Sequence, residues 1–505
     1  MPNQTVRNRV NPWRARLQMT LLALFVLMLA LTPYPRAFTA AMRQAEARTV
    51  SREYGAAIES FLQASRLDQE SSLPWLRMGE VLLLHQRFTP AIVAFLEAEH
   101  RGGGAEAVLG LGESRAGLGD WASAVGEWLH ALALAPEDSS IHVALGRASI
   151  ALAQFDRAEN YLTQALQLQP SPQDSAIARA LLGRLWVGDK PDLAEAAFGE
   201  AGDDDMLAVL HAVNAEKSPA RQALLLGIAF LQRNELTLAH HHFERAVTLA
   251  PGDADPLAYL AHTLDQQGET VAARELLERA LELDEHSTLV HYFLGTHHRL
   301  VGNSEDAQDA LWQALLTDPD NAALRAELGG TLADRGDYIA AEEWYLGAVS
   351  SAPEEVDFHF MLVHFYLDHL YRVQDGGLPA AQELVALAPD DARAHDLLGW
   401  AYHLSGQHDE GLVALGEALD RDPELASAHF HLGSIYHRRG GCWMALDLVN
   451  HFVHSQTKKP RPQDRMLFFG LDRHRTKSEE YDNAQADFKK ARELGYTSPE
   501  KGESE

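Results

Sequence analysis

The chain has 505 residues, 46% of them hydrophobic and 8% aromatic, with a formal net charge of −29 at pH 7. That is ample apolar material for a core, and the acidic balance argues against general nucleic-acid binding. The single cysteine, Cys442, excludes an internal disulfide and fits either side of a membrane.

Residues 1–16 carry Arg7, Arg9, Arg14 and Arg16 and no acid. Leu17 to Thr32 follows, apolar except for Gln18 and two threonines, and ends at Pro33-Tyr34-Pro35-Arg36. It reads as a signal peptide with a weak cleavage site at Thr39-Ala40-Ala41, or as an uncleaved anchor. As a helix it spans roughly 24 Å against about 30 Å of hydrocarbon, a gap that Trp13 and snorkelling Arg14 and Arg16 could close. Cleavage at 41 would cut into a helix expected near Ala37, which favours the anchor. Either way the arginines hold the N-terminus in the cytoplasm and send the rest across the membrane. The first expected segment is therefore 1–36, basic end plus membrane or signal helix.

From 37 onward the chain repeats. Pro251, Glu285, Pro319 and Pro353 fall at intervals of 34. Small residues follow at fixed offsets: Ala261, Gly295 and Gly329, then Ala273, Ala307 and Ala341, then Ala280, Ala314 and Ala348. Between them the apolar residues recur at helical spacing, and Gly268, Gly302 and Gly336 stand where the chain must reverse with positive φ. The unit is helix, tight turn, helix and a short Pro/Asp/Asn link. Earlier units start with Ala57, Phe61 and Ala64 and continue through Gly79, Gly112, Gly146 and Gly183, the fifth lacking one residue. Residues 204–218 lose the pattern, as an extra helix or distorted unit and a bend between an N-terminal stack (37–203) and a C-terminal one (219–456). In the tenth unit Val363 replaces the glycine and Gln374-Asp375-Gly376-Gly377 lengthens the turn. Residues 457–505 hold a basic stretch (Lys458, Lys459, Arg461, Arg465, Arg473, Arg475, Lys477), a capping helix over Ser478–Leu494 and a disordered tail.

These residues resemble the tetratricopeptide repeat. Leu226-Gly227-x2-Phe230…Ala239-x3-Phe243…Ala246…Pro251 matches its skeleton almost slot for slot, and His395…Leu398-Gly399-x2-Tyr402 and Leu432-Gly433-x2-Tyr436 match well. The resemblance implies an all-α, right-handed α-solenoid of about 12 stacked helix–turn–helix units that binds proteins. It also implies a concave groove lined by first-helix residues, here Tyr292, Phe360, Trp400 and Phe430 with His262, His364, His403, His437, Asp368 and Arg438. Such rings suit peptide or glycan recognition, or else pack between first helices. The family's paired Lys and Asn for a C-terminal carboxylate are not visible in these slots.

No phosphate-binding loop, dinucleotide fingerprint, HExxH motif or nucleophile elbow is present, and no cofactor is expected. His240-His241-His242 point in different directions on a helix and read as surface residues. His364 and Asp368, with His359 and His369 nearby, have metal-compatible spacing but read better as a helix-surface pair, so no metal is expected. His142, His291, His359, His395 and His429 stand where the family has tryptophan, as planar ring fillers or as pH-sensitive elements. The expected function is a non-catalytic, membrane-tethered scaffold with extracytoplasmic repeats. The alternatives are a recognition subunit of a glycan-processing or envelope-assembly complex, and a metal-dependent enzyme.

Overall fold

The computed structural model describes residues 33–51, 53–423 and 425–438. Among the described residues there are 24 α-helices, one π-helical turn and no strand. Leu17–Thr32 lies outside them, as do Cys442, the basic stretch and the expected capping helix. Among the described residues no helix is long and apolar enough to cross a membrane.

The chain gathers into two compact units, residues 1–136 and 137–505. In the first, α1 (Pro33–Val50) packs on α2 (Tyr54–Leu67), α3 (Leu73–Leu84) on α4 (Phe88–His100), and α5 (Gly104–Gly117) on α6 (Trp121–Leu134). Ala41, Ala45, Phe61, Phe95 and Leu111 are buried between the pairs. The first helix starts at Pro33, four residues before the expected Ala37.

The second unit continues with α7 (Ser139–Ala151) and α8 (Phe155–Gln167), α9 (Pro172–Trp186) and α10 (Pro191–Ala201), then a single helix α11 (Asp204–Asn214). Pairs resume with α12 (Pro219–Gln232) and α13 (Leu236–Leu249), α14 (Ala254–Gln267) and α15 (Thr270–Leu283), α16 (Thr288–Leu300) and α17 (Ser304–Thr317), α18 (Ala322–Asp334) and α19 (Tyr338–Ser351). After α20 (Val356–Asp368) a π-helical turn (Val373–Gly377) leads into α21 (Leu378–Leu387), then come α22 (Ala392–Leu404), α23 (His408–Arg421) and α24 (Ala426–Arg438).

One contact explains the period. A Cβ on Gly79 would lie 2.7 Å from the Phe95 ring, on Gly227 2.4 Å from Phe243, and on Gly399 2.6 Å from Leu415. In each pair the second residue is sixteen positions after the glycine and enters the space left by the missing side chain. In the fifth unit, one residue short, the partner of Gly183 is Phe198. The turn between paired helices places one residue in the left-handed region: Gly268, Gly302 and Gly336 at φ 87°, 84° and 81°, as expected. Asn234, Ala153 and Leu370 take the same position without being glycine, at φ 59°, 55° and 51°.

Segment 204–218 is the extra helix, and the apolar core runs through it without a break. Asp203 caps α11 by accepting from the Met206 amide, while Met206, Leu210 and Val213 are buried in the cluster that also holds Phe198 and Phe230. The tenth unit solves its missing glycine differently. Val363 is fully buried on α20, and the close approach moves to the turn, where a Cβ on Gly376 would meet the Tyr366 ring at 2.7 Å. Buried Glu342 holds that turn, accepting from Tyr366 Oη at 2.7 Å and from Arg372 at 2.7 Å.

Candidate interaction surface

The histidines in the tryptophan slot have a structural task. His291 Nε2 donates to the carbonyl of Glu285 (2.9 Å), His359 Nε2 to Pro353 (3.0 Å), His395 Nε2 to Pro389 (2.9 Å) and His429 Nε2 to Pro423 (2.9 Å). Arg325 holds the same slot in the unit between His291 and His359, and its Nε donates to the Pro319 carbonyl at 3.0 Å. Each acceptor is six residues back, in the link between units where the helix has ended, and four of the five are prolines. The ring fills the slot, and its N–H satisfies the link. His142 differs, using Nδ1 toward the Asp138 carbonyl at 3.0 Å.

Other polar groups tie neighbouring first helices together. Asp265 on α14 meets His297 on α16, and Asp396 on α22 meets His431 on α24 at 2.7 Å, all four residues buried. Arg299 on α16 reaches Glu327 and Asp334 on α18 at 2.7 and 2.8 Å. Burial opposes the charge on Arg299, but the two carboxylates outweigh it and raise its pKa above the ordinary value. Gly330 makes room, since a Cβ there would stand 3.1 Å from the guanidinium carbon.

The expected groove residues divide. Trp400, His403 and Phe430 are buried, and Phe360 is 9% exposed. Trp400 is stacked between His403 (5.0 Å between ring centres) and His431 (4.4 Å), while His403 Nδ1 faces His408 Nδ1 at 3.1 Å. Phe430 meets His431 edge-on at 5.9 Å. These rings are packing between adjacent first helices, with no broad face left for a peptide or a sugar. Phe360 lies 4.7 Å beneath the guanidinium of Arg393. Tyr292 is half-buried beside Phe293, its hydroxyl pushed up to about 12 by burial, with the charge of Glu327 adding. His262 is stacked on Phe293 at 4.6 Å, and burial lowers its pKa.

His364 and Asp368 stay at the surface as an i, i+4 pair, Nδ1 to Oδ2 3.5 Å. His359 is turned into its slot, so these residues do not converge on one point, and among the described residues no group of three or more His, Cys, Asp or Glu could hold a metal ion. His437 and Arg438 lie on α24, their side chains outside the described residues. The His240–His242 run needs a correction: His242 is 4% exposed, stacked on Phe230 at 5.3 Å, with its pKa lowered to about 3 by burial, helped by His241 and Arg245. The surface reading holds for His240 and His241 but not for His242, because positions on one helix turn cannot all face water when the helix is packed on two sides.

What remains exposed on the first helices is variable chemistry on a constant frame. The position after the packing slot is Glu80, Glu113, Arg147, Arg184, Ile228, His262, Thr296 and His364 in eight units, each partly exposed, and buried Gly330 and Trp400 in two others.

The tetratricopeptide repeat family matches at 143–203, 230–295, 293–356 and 392–425. Over 214 residues the chain is 22% identical to the anaphase-promoting complex subunit cut9 of Schizosaccharomyces pombe, covering 41% of this chain and 32% of that protein. Over 90 residues it is 36% identical to the probable biofilm formation methyltransferase WspC of Pseudomonas aeruginosa, covering 18% and 20%. The chain thus spans a third or less of these curated relatives. Among solved structures, the Cut9–Hcn1 hetero-tetramer is similar at 15% identity, with 81% of this chain and 98% of that chain covered and a TM-score of 0.39. Yeast Tom70 is similar at 14% identity, 91% and 97% coverage and the same TM-score. With its period, its packing-glycine contact and the family-model matches, the chain carries tetratricopeptide repeats.

Proposed function

We propose that this chain is a non-catalytic scaffold that binds other proteins through the exposed remainder of its first helices, tethered by Leu17–Thr32 with its repeats on the extracytoplasmic side. The observation that carries the reading is the division of labour among side chains. Buried positions repeat from unit to unit and are consumed in holding the units together, whereas the position after the packing slot, partly exposed in most units, changes from acid to base to aliphatic to histidine. A frame that repeats while its face varies is suited to recognising shape and charge, and it holds its anchors rigidly. Cut9, similar over part of its length, is named as a subunit of a multi-protein complex, which is consistent with this role. The tether rests on the basic, acid-free first sixteen residues and the apolar stretch after them.

Affinity capture of the full chain from its own membranes, with chemical crosslinking, tests the scaffold role. The expected result is a stoichiometric protein partner whose recovery falls on substituting exposed first-helix residues such as His364 and Arg393. Capture of no partner, with turnover of a small substrate instead, would overturn it. The tether is tested by alkaline extraction and by protease protection of sealed vesicles. Release by alkali, or digestion of the repeats from the cytoplasmic side, would refute that part.

A further inference from the structure

On α3, Leu73, Arg77, Glu80 and Leu84 fall at i, i+4, i+7 and i+11, which places all four on one side of the helix. Leu73 is 41% exposed and Leu84 70%. Leu83 beside them, and Leu109 on the neighbouring α5, are only half-buried. Between the leucines the face is charged. Arg77 pairs with Glu80 at 2.8 Å and reaches Glu106 of α5 at 4.0 Å. Its pKa is raised, first by the Glu80 hydrogen bond and charge and then by Glu106 and by Glu46 of α1. Two carboxylates, from α3 and α5, therefore pair with one guanidinium, and Glu46 of α1 acts on it from farther away. Exposed Arg43 lies one turn before Glu46 on α1 and offsets it, so the surplus is one negative charge within a leucine-bearing surface.

We propose that this face of α1, α3 and α5 is a docking surface for a cationic, aliphatic segment of a partner protein. Lysine or arginine side chains of the segment join Arg77 among Glu46, Glu80 and Glu106, and its apolar side covers Leu73 and Leu84. Charge selects this occupant. An anionic lipid surface is repelled by the surplus, a neutral glycan gains nothing from it, and the acidic repeats of a second copy bring the same sign of charge. The inference rests on the scaffold reading only in that the occupant is a protein.

Fluorescence anisotropy of the full-length protein with two labelled helical peptides of about 18 residues (roughly five turns) tests it. One carries leucines on one face and lysines on the other; the second has glutamate in place of lysine. The lysine peptide binds, and the glutamate peptide does not. Leu73→Ser with Leu84→Ser, and separately Glu80→Gln with Glu106→Gln, each weaken binding about tenfold or more. Glu282→Gln with Glu305→Gln removes the same charge from exposed sites in the second unit and leaves binding unchanged. Thermal melts by circular dichroism confirm the fold of each variant, since every substituted residue is at least partly exposed.

The proposal is overturned if both glutamate pairs weaken binding alike, which marks bulk attraction to an acidic protein, or if the leucine pair has no effect. It is overturned equally if sedimentation shows that the leucine pair dissociates a dimer, because the occupant is then a second copy. Failure here with a partner still captured from membranes leaves the scaffold reading standing, whereas failure of both experiments removes both.

Discussion

His297 Nδ1 on α16 donates to both carboxylate oxygens of Asp265 on α14, at 2.9 and 3.0 Å, with the two residues 2% and 8% exposed. The pair joins first helices of consecutive units, and Asp396 with His431 repeats the arrangement between α22 and α24. A buried carboxylate left without its hydrogen-bond donor is costly. His297→Leu should therefore destabilise the second unit by about 3 kcal/mol. Asp265→Leu combined with His297→Leu should cost less than the two single changes summed, because no lone charge is left inside. Chemical denaturation of the four proteins, with hydrogen exchange over α14 to α16, measures this. Additive losses would refute the coupling.

His242 makes stability fall in acid. Burial lowers its pKa to about 3 in the folded chain, against about 6.5 when unfolded. Between these values the unfolded chain binds the extra proton, so stability is fully present above pH ~6.5 and declines as pH drops toward 3. The loss should reach a few kcal/mol at the acid end. His242→Phe, which keeps a ring against Phe230, should flatten that part of the stability–pH curve. Denaturation midpoints from pH 7 to pH 4 (about the range where the two states differ) are the measurement, and parallel curves would rule the assignment out.

Two glycines of one pair should respond oppositely to alanine. Gly112 on α5 faces the Trp128 indole at less than van der Waals distance from any added Cβ, and Trp128 is fully buried and anchored by its Nε1 donating to the Leu109 carbonyl at 3.2 Å. Gly112→Ala should cost about 1–3 kcal/mol through overpacking. Gly126 on α6 meets nothing within 4 Å, so Gly126→Ala should stabilise by about 0.5–1 kcal/mol through helix propensity. Thermal melts of the two variants give the signs directly.

The link-holding histidines separate ring from N–H. His359→Phe keeps a planar filler but leaves the Pro353 carbonyl without its donor, and should cost about 1 kcal/mol. His359→Ala loses the ring as well and should cost about 2–3 kcal/mol. If phenylalanine is neutral while alanine is not, the slot needs only a ring.

The local unit was legible in the chain itself. Helix pairing depends on residues sixteen apart, such as Gly227 and Phe243, and on a turn residue between them, so its signal sits within one stretch and recurs every 34 positions. That short range also exposed the extra helix at 204–214, where the pattern lapses, and the altered tenth unit, where Val363 breaks it.

The tertiary structure alone decided which ring faces which neighbour. Trp400 and Phe430 occupy slots that line a groove in the resemblance, yet here His403 and His431 close over Trp400. Burial at those slots is set by side chains one unit away, and their sizes and charges are not constrained by the period. His242 is likewise hidden beside two more exposed histidines, and the chain divides into compact units at Pro136 while the core passes unbroken through 204–218. Periodicity specifies contacts within a unit; packing between units is settled only when both surfaces are present.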